Sequence, residues 1–168
     1  MKTLLKTPCD KAANLPTRDQ ANLPQRILVV DDEPHIRRLS AEVLAFSGYQ
    51  VVAVEDGAVA WDALQLNSYD LLVTDHNMPK LTGVDLVKKL HAAHMALPVI
   101  LVTGALPTEE LKRHPWLQID ATLLKPYTVE DLLGTVTKVL RATVSAREQI
   151  EPLPNWRSQP SAEGLRLC

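Results

Sequence analysis

Certain side chains stand out because each follows a short apolar run and can handle phosphate or a metal ion. Asp31 and Asp32 follow Ile27-Leu28-Val29-Val30, and Asp75 follows Leu71-Leu72-Val73-Thr74. Thr103 follows Pro98-Val99-Ile100-Leu101-Val102, and Lys125 follows a run over residues 121–124. In a parallel sheet these residues emerge at one edge, where ligands of such sheets bind. Three crowded carboxylates would repel one another and raise at least one pKa unless a cation neutralised them. An all-oxygen site of high charge suits Mg²⁺, which takes few protein ligands and keeps waters or substrate oxygens. Lys125 adds a second positive charge, and Thr103 a hydroxyl able to donate to an oxyanion. The set fits phosphoryl transfer to a carboxylate: aspartate is a nucleophile for phosphoryl groups. A metal ion and a lysine would stabilise charge on the transferring oxygens. Taken alone, an aspartate after a strand is more often a helix cap. The coincidence at four strand ends carries the reading.

The elements that must position these residues follow from the hydrophobic pattern. The runs at 27–30, 49–54, 71–74, 98–102 and 121–124 are short and apolar, as buried strands are. Between them, apolar residues recur at helical spacing. Ile36, Leu39, Val43 and Phe46 form the expected stripe of a first helix, entered through an aspartate cap and Pro34 and closed by Gly48. Residues 58–66 predict the second helix, and 83–93 the third, with Val84, Val87 and Leu90 on one face. A short fourth helix over 108–114 should stop at Pro115. Thr128, with Asp131 three residues on, starts a fifth whose stripe is Val129, Leu132, Leu133, Val136, Val139 and Leu140. Five strands alternating with five helices predict an α/β fold, a parallel sheet covered on both faces.

The chain has 168 residues and a net charge of −2, enough for one domain with a real core and no announcement of a nucleic-acid-binding surface. Residues 1–25 contain three prolines without an apolar period and read as a flexible N-terminal arm. Residues 26–144 are the expected domain, and 145–168 a Pro-rich tail. Cys9 and Cys168 lie near opposite ends and read as reduced and incidental. No run approaches the roughly 18 apolar residues of a membrane span, and no signal-peptide stretch follows Met1. The expectation is a cytoplasmic protein.

From about Arg26 to Val144 the chain resembles the receiver domain of two-component response regulators. Val29-Val30-Asp31-Asp32-Glu33-Pro34 is similar to the family's acidic pair, and Asp75-His76-Asn77-Met78-Pro79 with Gly83 to its phosphoacceptor loop. Thr103-Gly104-Ala105 resembles the switch threonine and its small neighbours, and Lys125-Pro126-Tyr127 the closing lysine-proline-aromatic. Glu55-Asp56-Gly57 fits the turn before the second helix.

The resemblance implies a flavodoxin-like (βα)5 doubly wound sheet in strand order 2-1-3-4-5. It implies Asp75 as phosphoacceptor, with Thr103 turning inward to the phosphoryl oxygen and Lys125 pairing with it. Mg²⁺ would be held by the carboxylates of Asp32 and Asp75 and the backbone carbonyl of Asn77, with Asp31 placing a coordinating water. The Lys125-Pro126 bond would be cis. Implied partners are a sensor histidine kinase or histidine phosphotransfer protein, and a downstream protein the sequence does not name. Neither direct nucleic-acid binding nor membrane insertion is expected, and pairing into a homodimer is left open. With no output domain expected after the final helix, the resemblance is to stand-alone receivers, signalling switches rather than enzymes.

Thr122 stands where receivers carry the switch aromatic, so the ring movement of the usual readout is unavailable. That departure, with the unusual fourth helix and Trp116, motivates an alternative: a pseudo-receiver that binds partners without being phosphorylated. A phosphatase using Asp75 as nucleophile is disfavoured, because Asn77 cannot serve as the second acid. Other conspicuous residues have plainer readings. His91 and His94 suit a polar helix edge better than a metal site, His76 faces solvent or packs under its loop, and Trp61 is packing. Trp156, in the tail, is a candidate anchor for a partner or for the domain itself.

Overall fold

A computed structural model describes residues 24–148. Most of the N-terminal arm, most of the tail, both cysteines and Trp156 lie outside the described residues. Strands β1 (Arg26–Val30), β2 (Gln50–Val54), β3 (Leu71–Asp75), β4 (Val99–Thr103) and β5 (Ala121–Leu124) alternate with five helices. These are α1 (Pro34–Phe46), α2 (Gly57–Leu66), α3 (Gly83–Ala92), α4 (Thr108–Arg113) and α5 (Val129–Glu148). All strand pairs are parallel, in the order β2-β1-β3-β4-β5. This is the flavodoxin-like arrangement expected.

β3 and β4 are buried along their whole length, which explains why their sequences do not alternate: each side chain faces one of two cores. On one face Leu28, Leu72, Val99 and Leu101 pack with Leu64 of α2 and Val84, Val87 and Leu90 of α3. On the other, Ile27, Leu71, Val73 and Ile100 pack with Leu44 of α1 and Leu132, Val136, Val139 and Leu140 of α5. Each fully buried aliphatic contributes about 1.5–3 kcal/mol of transfer free energy, so sheet and helices hold each other in register.

The first helix departs from its predicted stripe. Ser40 and Leu44 are its buried residues, while Leu39 is 52% and Phe46 97% exposed. The helix is rotated so that Ile36, Leu39 and Val43 line a groove shared with Pro126, Tyr127 and Val129. Nor is an aspartate its cap. Glu33 takes the N-cap position without a side-chain bond, and Pro34 occupies the first turn.

The predicted capping at α5 is present: the Asp131 N–H donates to Thr128 Oγ1, and the Thr128 N–H to Asp131 Oδ2. α5 runs on to Glu148, four residues past the boundary expected at 144, because no glycine or proline interrupts residues 141–148. At α3, Thr82 accepts from the Asp85 N–H at 3.1 Å and donates to its carboxylate at 2.8 Å. Thr82→Ala should therefore cost about 1 kcal/mol, the usual loss of such a cap, measurable as a lowered urea midpoint with unchanged m-value.

Candidate functional site

The register delivers the strand ends to one edge. Thr74 pairs with Val30, Asp75 with Val102, and Thr103 with Leu124, so Asp31, Asp75, Thr103 and Lys125 lie on neighbouring strands. The backbone continues this order beyond the sheet: the His76 N–H donates to Val102 O and the Lys125 N–H to Thr103 O, both at 2.8 Å. The Lys125-Pro126 bond is cis.

Lys125 joins the acidic residues. Its Nζ lies 2.7 Å from Asp75 Oδ1 and 3.4 Å from Asp31 Oδ2, with 31% of the lysine side chain exposed. Asp31 and Asp75 are each 4% exposed. Burial pushes the Asp31 carboxyl above its ordinary pKa, against the Glu33 N–H and the Lys125 charge, while the Asp75 charge pushes it further up. Burial alone would lower Lys125; the hydrogen bond to Asp75 and the charges of Asp31 and Asp75 outweigh it and hold the ammonium above its ordinary value. The second Asp75 oxygen accepts from the Asn77 N–H at 2.9 Å, leaving the Asn77 carbonyl free of that bond.

Asp32, next in the chain to the buried Asp31, is exposed. Among the described residues no three His, Cys, Asp or Glu side chains already form a metal cage, so the convergence of three carboxylates reduces to the buried pair Asp31 and Asp75, with Asp32 beside them. That donor set still fits Mg²⁺, which needs only one or two carboxylates and retains its waters. Asp32 and Asp75 through their carboxylates and Asn77 through its carbonyl would hold the ion, with Asp31 placing a coordinating water.

Thr103 is fully buried, and its hydroxyl faces the loop that follows: it donates to Ala105 O at 2.7 Å and accepts from the Ala105 N–H. It therefore has a bonded alternative to facing Asp75. His76 packs under its loop. Its backbone carbonyl accepts from Met78 and Gly83 N–H groups, and among the described residues its shielded Nδ1 has no hydrogen-bond partner. Thr122 is half-buried on β5, near a face where Leu106, Trp116 and Leu124 are exposed. Trp61 packs against the core, as expected, with Lys89 over its ring. His91 stacks on Trp116 with ring centroids 4.6 Å apart.

Sequence reasoning missed the clamp on the loop that follows Asp75. Asp56 accepts from the Ala58 and Val59 N–H groups at the start of α2, and its other oxygen pairs with Lys80. The hydrogen bond to Lys80 holds the Asp56 carboxyl below its ordinary pKa. Lys80 reaches it from a left-handed backbone conformation, φ 66°. Gly57 closes the same contact, since a Cβ there would lie 2.7 Å from Leu81 O. The Asp56-Gly57 pair was the available signal, but its partner 24 residues on was not. Arg37 is a second omission: its guanidinium donates to the Asp31 carbonyl at 2.7 Å and braces the first acidic turn from α1.

Comparison with known proteins agrees with this geometry. The response regulator receiver domain model matches residues 27–137, and the chain belongs to that family. It is 38% identical over 131 residues to the sensor histidine kinase RcsC of Escherichia coli K12, covering 76% of this chain and 14% of RcsC. With the response regulator MprA of Mycobacterium sp. strain KMS it shares 34% identity, over 72% of this chain and 53% of that protein. The chain thus spans about a seventh of one relative and half of the other. Among solved structures, the chemotaxis response regulator CheY4 of Vibrio cholerae superposes with a TM-score of 0.64 at 28% identity, covering 70% of this chain and 99% of that one. The response regulator TrrA of Thermotoga maritima, in complex with Mg²⁺-BeF, does so with 0.60 at 30% identity, covering 68% and 98%. Among the described residues no helix is long and apolar enough to cross a membrane.

Proposed function

We propose that the chain is a phosphorylation-activated signalling switch that accepts a phosphoryl group on Asp75 in the presence of Mg²⁺. The observation that carries this reading is Asp75 held at 2.7 Å by Lys125 at the edge of the sheet, with Thr103 buried at the end of the neighbouring strand. The phosphorus–nitrogen bond of a donor phosphohistidine would break as an Asp75 oxygen bonds to phosphorus, and the histidine leaves as imidazole. Bound Mg²⁺ would supply charge neutralisation for the incoming oxygens. Lys125 stays paired with the developing negative charge, and the Asn77 N–H orients the acceptor carboxylate. Thr103 exchanges Ala105 for a phosphoryl oxygen, pulling the loop after β4 toward the site. This exchange biases the domain between two states. TrrA was solved with Mg²⁺-BeF, which supports the choice of metal.

The donor is a sensor histidine kinase or a histidine phosphotransfer protein, and the output is protein–protein contact in the cytoplasm rather than catalytic turnover. The apolar groove between α1 and α5, about 460 Å³ and reaching Lys125, offers a docking surface beside the acceptor. The test is intact-protein mass after incubation with acetyl phosphate, with and without Mg²⁺, beside Asp75→Asn. We expect a gain of one phosphoryl group that needs both the metal and Asp75. A gain that survives Asp75→Asn would sink the site assignment. No gain from a demonstrably folded protein would favour a phosphate-independent binding module, the reading that Thr122 motivates.

A further inference from the structure

A second groove, about 540 Å³, opens at the opposite pole of the domain from Asp75. Its floor is Leu90 of α3 and Val99 at the start of β4, each 2% exposed. One wall is Met95 and Leu97, from the segment after α3, and the other is the end of α5, at Ala142 and Ala146. Farther up the helix this face carries Leu132, Val136, Val139 and Leu140, which fill the core. Below Leu140 small residues take over, so α5 overhangs the sheet and leaves the space empty of its own side chains. Such a volume suits a large, mostly apolar group with a few polar contacts.

The chain itself supplies a matching segment. The described residues end at Glu148, two positions past Ala146, so residues 149–168 begin at the groove wall. Their apolar residues near this end are Ile150, Leu153 and Trp156, spaced by three, with Pro152 and Pro154 between them. A polyproline II helix has three residues per turn, so this spacing places all three on one face and leaves Glu151 and Asn155 off it. Six residues in that conformation span roughly 19 Å at about 3.1 Å each, within the scale of the groove. Trp156 would bury on the order of 150–250 Å². Arg157 follows it, and the groove rim carries Asp120, an exposed carboxylate that pairs with no cation among the described residues.

We propose that residues 150–156 fold back along the groove between the ends of α3 and α5, with Trp156 over Leu90 and Leu97 and Arg157 beside Asp120. The occupant is this chain's own tail, joined to the wall it packs on, so docking is intramolecular and needs no partner concentration. The contact lies at the amino ends of the strands, with β4 between it and the phosphorylation edge. Tail docking and phosphoryl uptake are therefore separable.

The test is NMR on the full chain, labelled with ¹⁵N and ¹³C. Expected are nuclear Overhauser contacts from the Trp156 indole to the methyls of Leu90, Leu97 and Val99. These should be lost in Ala146→Arg, which blocks the groove from an exposed helical position. Trp156→Ala should shift the same methyl signals, while its phosphoryl gain from acetyl phosphate and Mg²⁺ matches the parent. Random-coil shifts over 150–156, with groove signals unmoved in Trp156→Ala, would overturn the proposal and leave the groove to an external partner. Contacts seen only between differently labelled copies in a mixed sample would overturn it in favour of a second copy.

Discussion

Gly83→Ala is expected to lower the unfolding free energy by about 3 kcal/mol, the upper end of what overpacking usually costs. A Cβ at this position would sit 2.3 Å from the carbonyl oxygen of Asp75 and 3.0 Å from Leu101 Cδ1. The first contact is with backbone at the end of a fully buried strand, so no rotamer change relieves it. The Gly83 N–H also donates to His76 O at 3.1 Å, which fixes the start of α3 against the loop that follows Asp75. Relief requires α3 to withdraw from β3 or the Asp75 peptide to turn, and the second would misplace the Asp75 carboxylate, the proposed acceptor. Urea unfolding measures the first consequence, and the rate of phosphoryl gain from acetyl phosphate the second. Gly104→Ala is the control, because a Cβ there meets nothing within 4 Å and should change stability by less than about 0.5 kcal/mol. Equal stability of the two variants would show that the α3 start slides freely and that the close approach does not hold Asp75.

The difference between those two glycines was invisible in the sequence, although both lie in motifs the sequence displays. The inner strands β1, β3 and β4 are apolar over most of their length and give way to Asp31, Asp75 and Thr103 at their carboxyl ends, with Lys125 directly after β5, which is why the four could be read as one edge. Side-chain direction was less legible. In α1, the stripe through Ile36, Leu39 and Val43 and the one through Ser40 and Leu44 are neighbours on the helix surface. Only packing against β1 and β2 selects the second, leaving the first to line a groove. A serine at a core position also conceals the stripe that contains it. The Asp56–Lys80 pair was hidden for another reason: it depends on the left-handed backbone at Lys80, a conformation that nothing local in Pro79-Lys80-Leu81 demands. Thr103 could be named from its place after β4, but its bond to Ala105 O belongs to the loop and not to the spacing.

Asp31→Asn should stabilise the metal-free protein at neutral pH and weaken its response to Mg²⁺. Burial raises the Asp31 pKa above its unfolded value, and the nearby Asp75 charge adds to it. A carboxyl raised by folding favours the fold when protonated. Its contribution is fully present below the unfolded value near 3.8 and is lost as pH rises through the folded pKa. At pH 7 the ionised group therefore subtracts stability, and Lys125, at 3.4 Å and partly exposed, offsets only part of the cost. Asparagine keeps an oxygen for the Glu33 N–H, now donated to Asp31 Oδ1 at 2.9 Å, and removes the charge. Lys125 keeps Asp75 as its partner at 2.7 Å, so no buried cation is stranded, and the expected gain is about 1 kcal/mol, or about 4 °C in Tm for a domain of this size. The advantage should shrink as pH falls through the raised pKa of Asp31, where the parent carboxyl takes up a proton and loses its charge. Added Mg²⁺ should raise the parent's Tm by ligand linkage and the variant's by less, since Asp31 no longer brings its charge and a coordinating water to the ion that Asp32 and Asp75 would hold. Thermal melts at pH 7 and pH 4.5, each with EDTA or with Mg²⁺, separate these effects. A variant that melts below the parent at pH 7 without metal would show that the Lys125 pairing, and not burial, dominates at Asp31. The buried acidic pair of Asp31 and Asp75 would then not be held at the expense of the fold.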